Sequence, residues 1–241
     1  MKFTGNAGFT HGQSDKIGVL ITNLGTPQAP TKAALKPYLK EFLSDPRVVE
    51  VPRLIWWFIL NGVILNIRPK RSAEAYASVW SEQGSPLMVH TKAQAEALAK
   101  RCATEFGDNV VVEFAMRYGE PSVSGTIDRM LSQGVRKLLV LPLYPQYSAS
   151  TVASTFDAVA HDFVKRRWLP DFRFVSHYHD RPDYIQAVAD KIQQHWQHYG
   201  RADKLILSYH GVPKRYLDSG DPYHCECHKT SRLIAEALGL D

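Results

Sequence analysis

Cysteine is scarce in this sequence: Cys102, Cys225 and Cys227 are the three among 241 residues. Three cysteines do not make a disulfide framework, which argues against an oxidising compartment. The first residues, M-K-F-T-G-N-A-G-F-T-H-G-Q-S-D, hold no apolar core of a secretory leader. Residues 1–15 instead read as a disordered polar lead-in. Long hydrophobic runs are missing too. The most apolar stretch, Leu54 to Leu65 (L-I-W-W-F-I-L-N-G-V-I-L), falls short of the roughly 20 residues a bilayer requires. These absences predict a cytoplasmic protein. There is no G-x-G-x-x-G after the first apolar run and no G-K-[ST], which disfavours dinucleotide and nucleotide enzymes. The net charge of +5 is mildly basic, but its cations are scattered. The densest groups are Arg68-Pro69-Lys70-Arg71 and Lys165-Arg166-Arg167, and no basic stripe interleaves with aromatics. No nucleic-acid partner is therefore expected. Some of these cations suit acidic groups on a small ligand.

What is present is a pattern stated twice. Lys16 to Pro27 reads K-I-G-V-L-I-T-N-L-G-T-P, and Lys204 to Pro213 reads K-L-I-L-S-Y-H-G-V-P. Each is an apolar run of strand length that ends on Gly-x-Pro, which turns the chain at the strand's C-terminal edge. In open α/β sheets that edge is where ligands bind. The second copy carries Tyr209 and His210 before its glycine. The strands expected are Gly18–Thr22 and Lys204–Ser208 in the two copies, with Val110–Ala115, Lys137–Pro142 and Phe172–Ser176 between them. Helical patterns lie between them, from Pro86 to Gly107, Ser122 to Leu131, Ala149 to Trp168, Arg181 to Tyr199 with Asp180 as N-cap, and Glu226 to Leu238. The alternation argues for parallel sheets wound in βαβ units. Lys32 to Trp80 breaks it with a helical segment that is interrupted by Pro37, Pro46, Pro52 and Pro69 and carries Trp56, Trp57 and Trp80. That segment is either a cap with its aromatics packed inward or an apolar lip over a flat ligand.

Several residues could carry chemistry. His210 stands at a strand end, where a neutral imidazole can bind a divalent metal or accept a proton. The run L-P-L-Y-P-Q-Y-S-A-S-T (Leu141 to Thr151) is dense in hydroxyls, and a serine there suits a helix cap. Arg117, in M-R-Y-G-E-P, fits an ion pair as well as a ligand. H-C-E-C-H (His224 to His228) is a weak metal signal, because one Cys-x-Cys pair has no second pair at ligand spacing. His177 and His179 read as surface histidines.

Together N-L-G-T-P (Asn23–Pro27), G-S-P-L (Gly84–Leu87), M-R-Y (Met116–Tyr118), L-P-L-Y-P-Q-Y-S (Leu141–Ser148), Y-H-G-V-P (Tyr209–Pro213) and G-D-P-Y (Gly220–Tyr223) resemble the ferrochelatases of bacteria. The resemblance runs from about Ile17 to the end. It implies an α/β fold of two similar Rossmann-like lobes with parallel sheets and the porphyrin held between them. Residues 16–150 would form the first lobe, with the aromatic lip at about 32–80, and 151–241 the second. It implies a lyase that inserts ferrous iron into protoporphyrin IX, the last step of protoheme synthesis, with Fe²⁺ as substrate. His210 matches the family's catalytic and metal-binding histidine. Arg68, Tyr76 and Ser85 match porphyrin contacts, and Arg117, Tyr118, Tyr147 and Ser148 lie in motifs lining the same site. The lip implies peripheral membrane contact. Leu24 stands where some members have a tyrosine, whose role does not transfer.

The family's second site residue, a glutamate, lies beyond the G-D-P-Y motif, and the sequence reaches Asp241 without it. The expectation is a C-terminally truncated member with an incomplete second lobe, weak porphyrin binding, slow turnover and an exposed sheet edge that promotes self-association. A non-catalytic tetrapyrrole-binding fragment and a cobalt or nickel chelatase of the same fold are the alternatives. No iron-sulfur cluster is expected, since three cysteines do not meet the four that cluster-bearing members use; a cluster or zinc at Cys225 and Cys227 is the weaker reading.

Overall fold

In the computed structural model, which describes residues 3–5 and 10–240, the apolar runs form four strands. They are β1 (Lys16–Gly25), β2 (Val110–Tyr118), β3 (Val135–Pro142) and β4 (Asp171–Phe174). All pair in parallel, in the order β2-β1-β3-β4. The α/β class and the parallel, Rossmann-like sheet stand as expected. From β1 the chain moves to β2, crosses back over β1 to β3, and continues outward to β4. The direction of travel thus reverses between β1 and β3. Such a reversal opens a crevice at the C-terminal strand ends, here Gly25 and Pro142.

Helices occupy the crossovers. Between β1 and β2 lie α1 (Lys32–Ser44), α2 (Arg53–Ile59), a π turn (Leu60–Ile64), α3 (Leu65–Ala77) and α4 (Pro86–Phe106). α5 (Val123–Ser132) links β2 to β3, and α6 (Ser154–Phe163) precedes β4. Local chemistry sets their starts. Thr31 caps α1 by accepting from the Ala34 N–H, and Ser122 caps α5 by accepting from the Gly125 N–H. Pro86 opens α4, where its missing N–H has no helical partner to lose. Of the four prolines expected to interrupt residues 32–80, Pro37 and Pro69 lie inside α1 and α3. The helix expected to reach Trp168 stops at Phe163. There Thr4 donates its N–H to the Lys165 carbonyl and accepts from the Arg167 N–H. Of the expected lead-in, residues 1, 2 and 6–9 lie outside the described residues.

Contacts divide the chain into two units, Met1–Leu143 with Ser150–Val175, and Tyr144–Ala149 with Ser176–Asp241. The first holds the sheet and two apolar cores. Leu20, Ala115, Ile127, Met130, Val135, Leu138, Val140 and Val159 pack the sheet against α5 and α6. Leu35, Tyr38, Leu39, Leu43, Leu60, Leu65, Ala73 and Tyr118 form a helical core beside it. Each leucine, isoleucine, valine or methionine among them contributes about 1.5–3 kcal/mol by leaving water.

The second unit contains α7 (Pro182–Tyr199), α8 (Lys214–Asp218) and α9 (Tyr223–Leu238). α7 and α9 pack together, and α9 starts a turn earlier than expected. Arg181, not Asp180, occupies the N-cap of α7, because Asp180 is engaged by Lys229. Among the described residues this unit has no strand, so the expected strand Lys204–Ser208 is not formed. An extended segment is stabilised only by ladder partners, and this one has none. Ile206 is accordingly 85% exposed. Leu205 lies with Ala187, Val188, Ile192 and Trp196 along an open apolar groove of ≈ 450 Å³. Gly211, expected at a strand end equivalent to Gly25, therefore follows coil.

Gly25 itself is dictated by the sheet. Its φ is +110°, and it pairs with Tyr118 across the β1–β2 ladder. An added Cβ would sit 1.9 Å from the Tyr118 carbonyl oxygen. Gly25→Ala should destabilise the first unit by about 3 kcal/mol or more, through a backbone clash and an unfavourable φ together. Urea denaturation of the variant checks this; a loss below ~1 kcal/mol, the ordinary cost of a point substitution, would show that the strand ends yield.

Candidate functional site

At the C-terminal end of β2, Arg117 and Tyr118 point to opposite sides of the strand, as successive residues must. Both nevertheless reach one carboxylate. Asp45, just after α1, accepts from Arg117 Nη2 at 2.6 Å, from the Tyr118 hydroxyl at 2.8 Å and from Ser154 Oγ at 2.5 Å, all through Oδ2. Its Oδ1 accepts the Arg47 N–H at 2.7 Å. Arg117 Nε donates to Ser154, to both the carbonyl and Oγ. Burial alone would raise the Asp45 pKa. The hydrogen bonds from Ser154, Tyr118 and Arg47 and the Arg117 charge more than offset this, so its carboxyl lies below the usual carboxylate range. Burial, with Asp45 adding to it, pushes the Tyr118 phenol far above its ordinary value, so it stays a donor. Of the two readings of Arg117, the structure places the ion pair. Tyr118 has no exposed surface.

The other first-unit residues lie on α3 and before α4. Tyr76 is half-buried, edge-on to Tyr38 and Trp80. Ser85 is buried immediately before α4 and makes no side-chain bond to the helix end. Arg68 is exposed on α3, and among the described residues it makes no ion pair. Around it the helical segment from Arg53 turns large apolar side chains to solvent. Leu54 is 73%, Trp57 58%, Phe58 62% and Ile67 70% exposed. Trp56 instead tucks in, its indole N–H donating to the Leu43 carbonyl at 2.6 Å.

In the second unit the loop with Tyr147 and Ser148 is tied to α9 and the turn before it. Glu226 accepts the Tyr147 N–H at 2.7 Å, and Asp221 accepts the Ser148 hydroxyl at 3.2 Å and the Ala149 N–H at 2.7 Å. Gln146 donates to Thr230. His210 is exposed in coil, and the Tyr223 hydroxyl bonds to its backbone. Burial, with Cys227 adding to it, pushes Tyr223 up to about 12. Burial likewise raises the Cys227 thiol, whereas Cys225 is exposed.

One residue differs from its sequence reading: His179 is buried rather than on the surface. Glu226, at the middle of H-C-E-C-H, is buried as well. His177 Nδ1 lies 2.7 Å from Glu226 Oε1 and His179 Nδ1 lies 3.3 Å from Oε2. The sequence signal was the His-x-His spacing, and the two ring centroids lie 5.3 Å apart.

The residues of the Asp45 network make it testable. Asp45→Ala would leave the mostly buried Arg117 without its counter-ion and should cost about 3–5 kcal/mol; Tyr118→Phe should cost about 1–2 kcal/mol. Because Asp45 is depressed in the folded state, its contribution is complete above the unfolded value near 3.9 and fades as pH falls through the folded value. Asp45→Asn should therefore flatten the acid side of the stability–pH profile, read by urea denaturation between roughly pH 6 and 3. An unchanged acid slope would remove Asp45 as its source.

The sequence matches the ferrochelatase family model over residues 16–241. It is 68% identical to the ferrochelatase of Idiomarina loihiensis over 240 residues, covering 100% of this chain and 66% of that protein. To that of Marinobacter nauticus it is 66% identical, covering 100% and 65%. To that of Pseudoalteromonas atlantica it is 67% identical, covering 100% and 67%. The chain thus spans about two thirds of the length of the curated relatives it matches.

Proposed function

We propose that this chain, which belongs to the ferrochelatase family, binds protoporphyrin IX and takes part in its metallation by ferrous iron, in the cytoplasm. One observation carries the reading. Residues Leu54 to Ile67 hold large apolar side chains in water beside the exposed guanidinium of Arg68. A soluble protein keeps so large an apolar patch only for a partner. A flat macrocycle with two carboxylates matches both features. Its face covers the aliphatic and indole side chains, and Arg68 takes a propionate by a charge-assisted hydrogen bond. The same helix also suits the interfacial region of a membrane, where such a macrocycle would partition. Among the described residues no helix is long and apolar enough to cross one.

Metallation exchanges two pyrrole protons for one Fe²⁺, so the reaction needs an acceptor for protons on a face the metal can reach. The exposed imidazole of His210 is the group we assign to it, as proton acceptor or as iron ligand. Binding energy along the apolar face can be used to bend the ring, worth ~1–5 kcal/mol. Tyr76, Ser85, Tyr147 and Ser148 are assigned to porphyrin contacts on the family motifs that contain them. Arg117 and Tyr118 would act by holding the loop ends in place through Asp45 rather than by touching the macrocycle.

Anaerobic titration with protoporphyrin, followed by fluorescence quenching, tests the binding half. Arg68→Ala and Trp57→Ala should each weaken binding about tenfold, equivalent to about 1.4 kcal/mol. Undiminished affinity in both variants would remove the exposed helix from the site. Metallation with Fe²⁺ tests the second half: His210→Ala should abolish product formation while leaving porphyrin affinity within about threefold. Full turnover by that variant would remove His210 from the chemistry.

A further inference from the structure

We infer that His177, His179 and Glu226 form a divalent-metal site in the second unit, distinct from His210. Two imidazoles and one carboxylate are the donor set of many zinc centres that keep a fourth position for water. The ligand atoms of the three residues all lie within 4.8 Å of one another. Both Nδ1 atoms face the same carboxylate, at 2.7 Å and 3.3 Å. With metal–ligand bonds of about 2.0–2.1 Å, neighbouring donors of a tetrahedral shell stand about 3.3 Å apart. The His179–Glu226 pair already has that spacing. The shorter His177 contact is a hydrogen bond that opens slightly to admit an ion, and His177 is half-exposed, so its ring is free to move.

A second observation separates this cluster from a simple polar hub. His179 is 6% exposed, and its Nδ1 has no hydrogen-bond partner meeting the geometry of one. A buried ring nitrogen aimed at a buried carboxylate and left unpaired needs an explanation. A cation between them supplies it. The surroundings suit that role. The Tyr147 N–H holds Glu226 Oε2, which fixes the carboxylate's orientation. His179 Nε2 lies 3.9 Å from Asp180 Oδ2, an ion-pair contact too long for a hydrogen bond. Lys229, one turn along α9 from Glu226, is engaged by Asp180 at 2.6 Å. The exposed edge of His177 leaves an entry path and room for a water ligand.

The ion would clip residues 176–180 to the first turns of α9. Preferential binding to the folded state raises stability by mass action. Borderline metals favour nitrogen and carboxylate donors, and zinc outcompetes ferrous iron at a given site. Zinc and cobalt are therefore the probes.

The 241-residue chain, stripped with a chelator, is dialysed against Zn²⁺, and Co²⁺ is added separately to read ligand-field bands. The expected result is one tight equivalent, a raised thermal midpoint, and a cobalt spectrum of low coordination number. Removing an outer-shell partner alone costs 10–100-fold in affinity, so His179→Ala should lose roughly 100-fold or more. His177→Ala, at a half-exposed position that tolerates change, should also lose the tight equivalent and provides the test if His179→Ala fails to fold. His210→Ala, and His224→Ala combined with His228→Ala, should keep it. The last control is needed because the His224 and His228 Nε2 atoms lie 3.2 Å apart on exposed α9. Absence of a tight equivalent in the unsubstituted chain, its retention in His177→Ala, or its loss only in the His224/His228 variant would each overturn the assignment.

Discussion

The carboxylate of Asp45 is withdrawn from water, and the arrangement of the first unit depends on how that charge is satisfied. A buried ion is tolerated only when paired and fully hydrogen-bonded. Asp45 meets the requirement with partners from three places: β2 through Arg117 and Tyr118, the start of α6 through Ser154, and its own turn through Arg47. The helical segment after α1 is thereby locked to a strand end. Arg117 and Tyr118 have fixed positions before any ligand arrives. Such pairs owe little to net attraction and much to the cost of leaving either member alone. The neighbouring Arg47–Asp157 pair is largely exposed and adds at most about 1 kcal/mol.

The second unit repeats the device with different residues. Asp221, before α9, and Glu226, in its first turn, accept backbone N–H groups of the loop 147–149. A carboxylate in a helix's first turn is favoured by the helix dipole. Glu226, however, has more donors around it than a loop clasp requires. That excess, two imidazoles on a carboxylate already held by a backbone N–H, is what distinguishes it from Asp221.

Strands β1 to β3 were legible because a parallel sheet covered on both faces demands apolar runs, whereas β4, Asp-Phe-Arg-Phe, alternates with Asp171 and Arg173 exposed. Lys204–Ser208 has the apolar signature of β1 to β3, and it fails for a reason local sequence cannot express. A strand requires a neighbour, and no described residue of its unit supplies one. Helix starts at Thr31, Ser122 and Pro86 follow from their own chemistry, whereas Asp180 was lost as a cap to an ion pair with Lys229, 49 residues away. The site residues divide along the same line. M-R-Y and G-D-P-Y were recognisable as motifs. The partners that explain them, Asp45 for Arg117 and Asp221 for Ser148, are separated by 72 and 73 residues, and only folding brings them together.

The segment over residues 53–77 reads as helical from its pattern, but the π turn at Leu60–Ile64 decides which of its side chains are buried. Leu60 and Leu65 are both 2% exposed. In a uniform α-helix, residues five apart differ by about 140° around the axis and cannot both face one core. Here the Leu65 N–H donates to the Leu60 carbonyl, closing the wider turn and bringing the two onto one side. The segment is anchored by these leucines together with Ala73. The phase shift they require carries Leu54, Trp57 and Phe58 before the turn, and Ile67 and Arg68 after it, away from that core. A regular amphipathic helix would have hidden more of this apolar surface. The irregularity is therefore what leaves an aromatic and aliphatic face in water with a cation at its end.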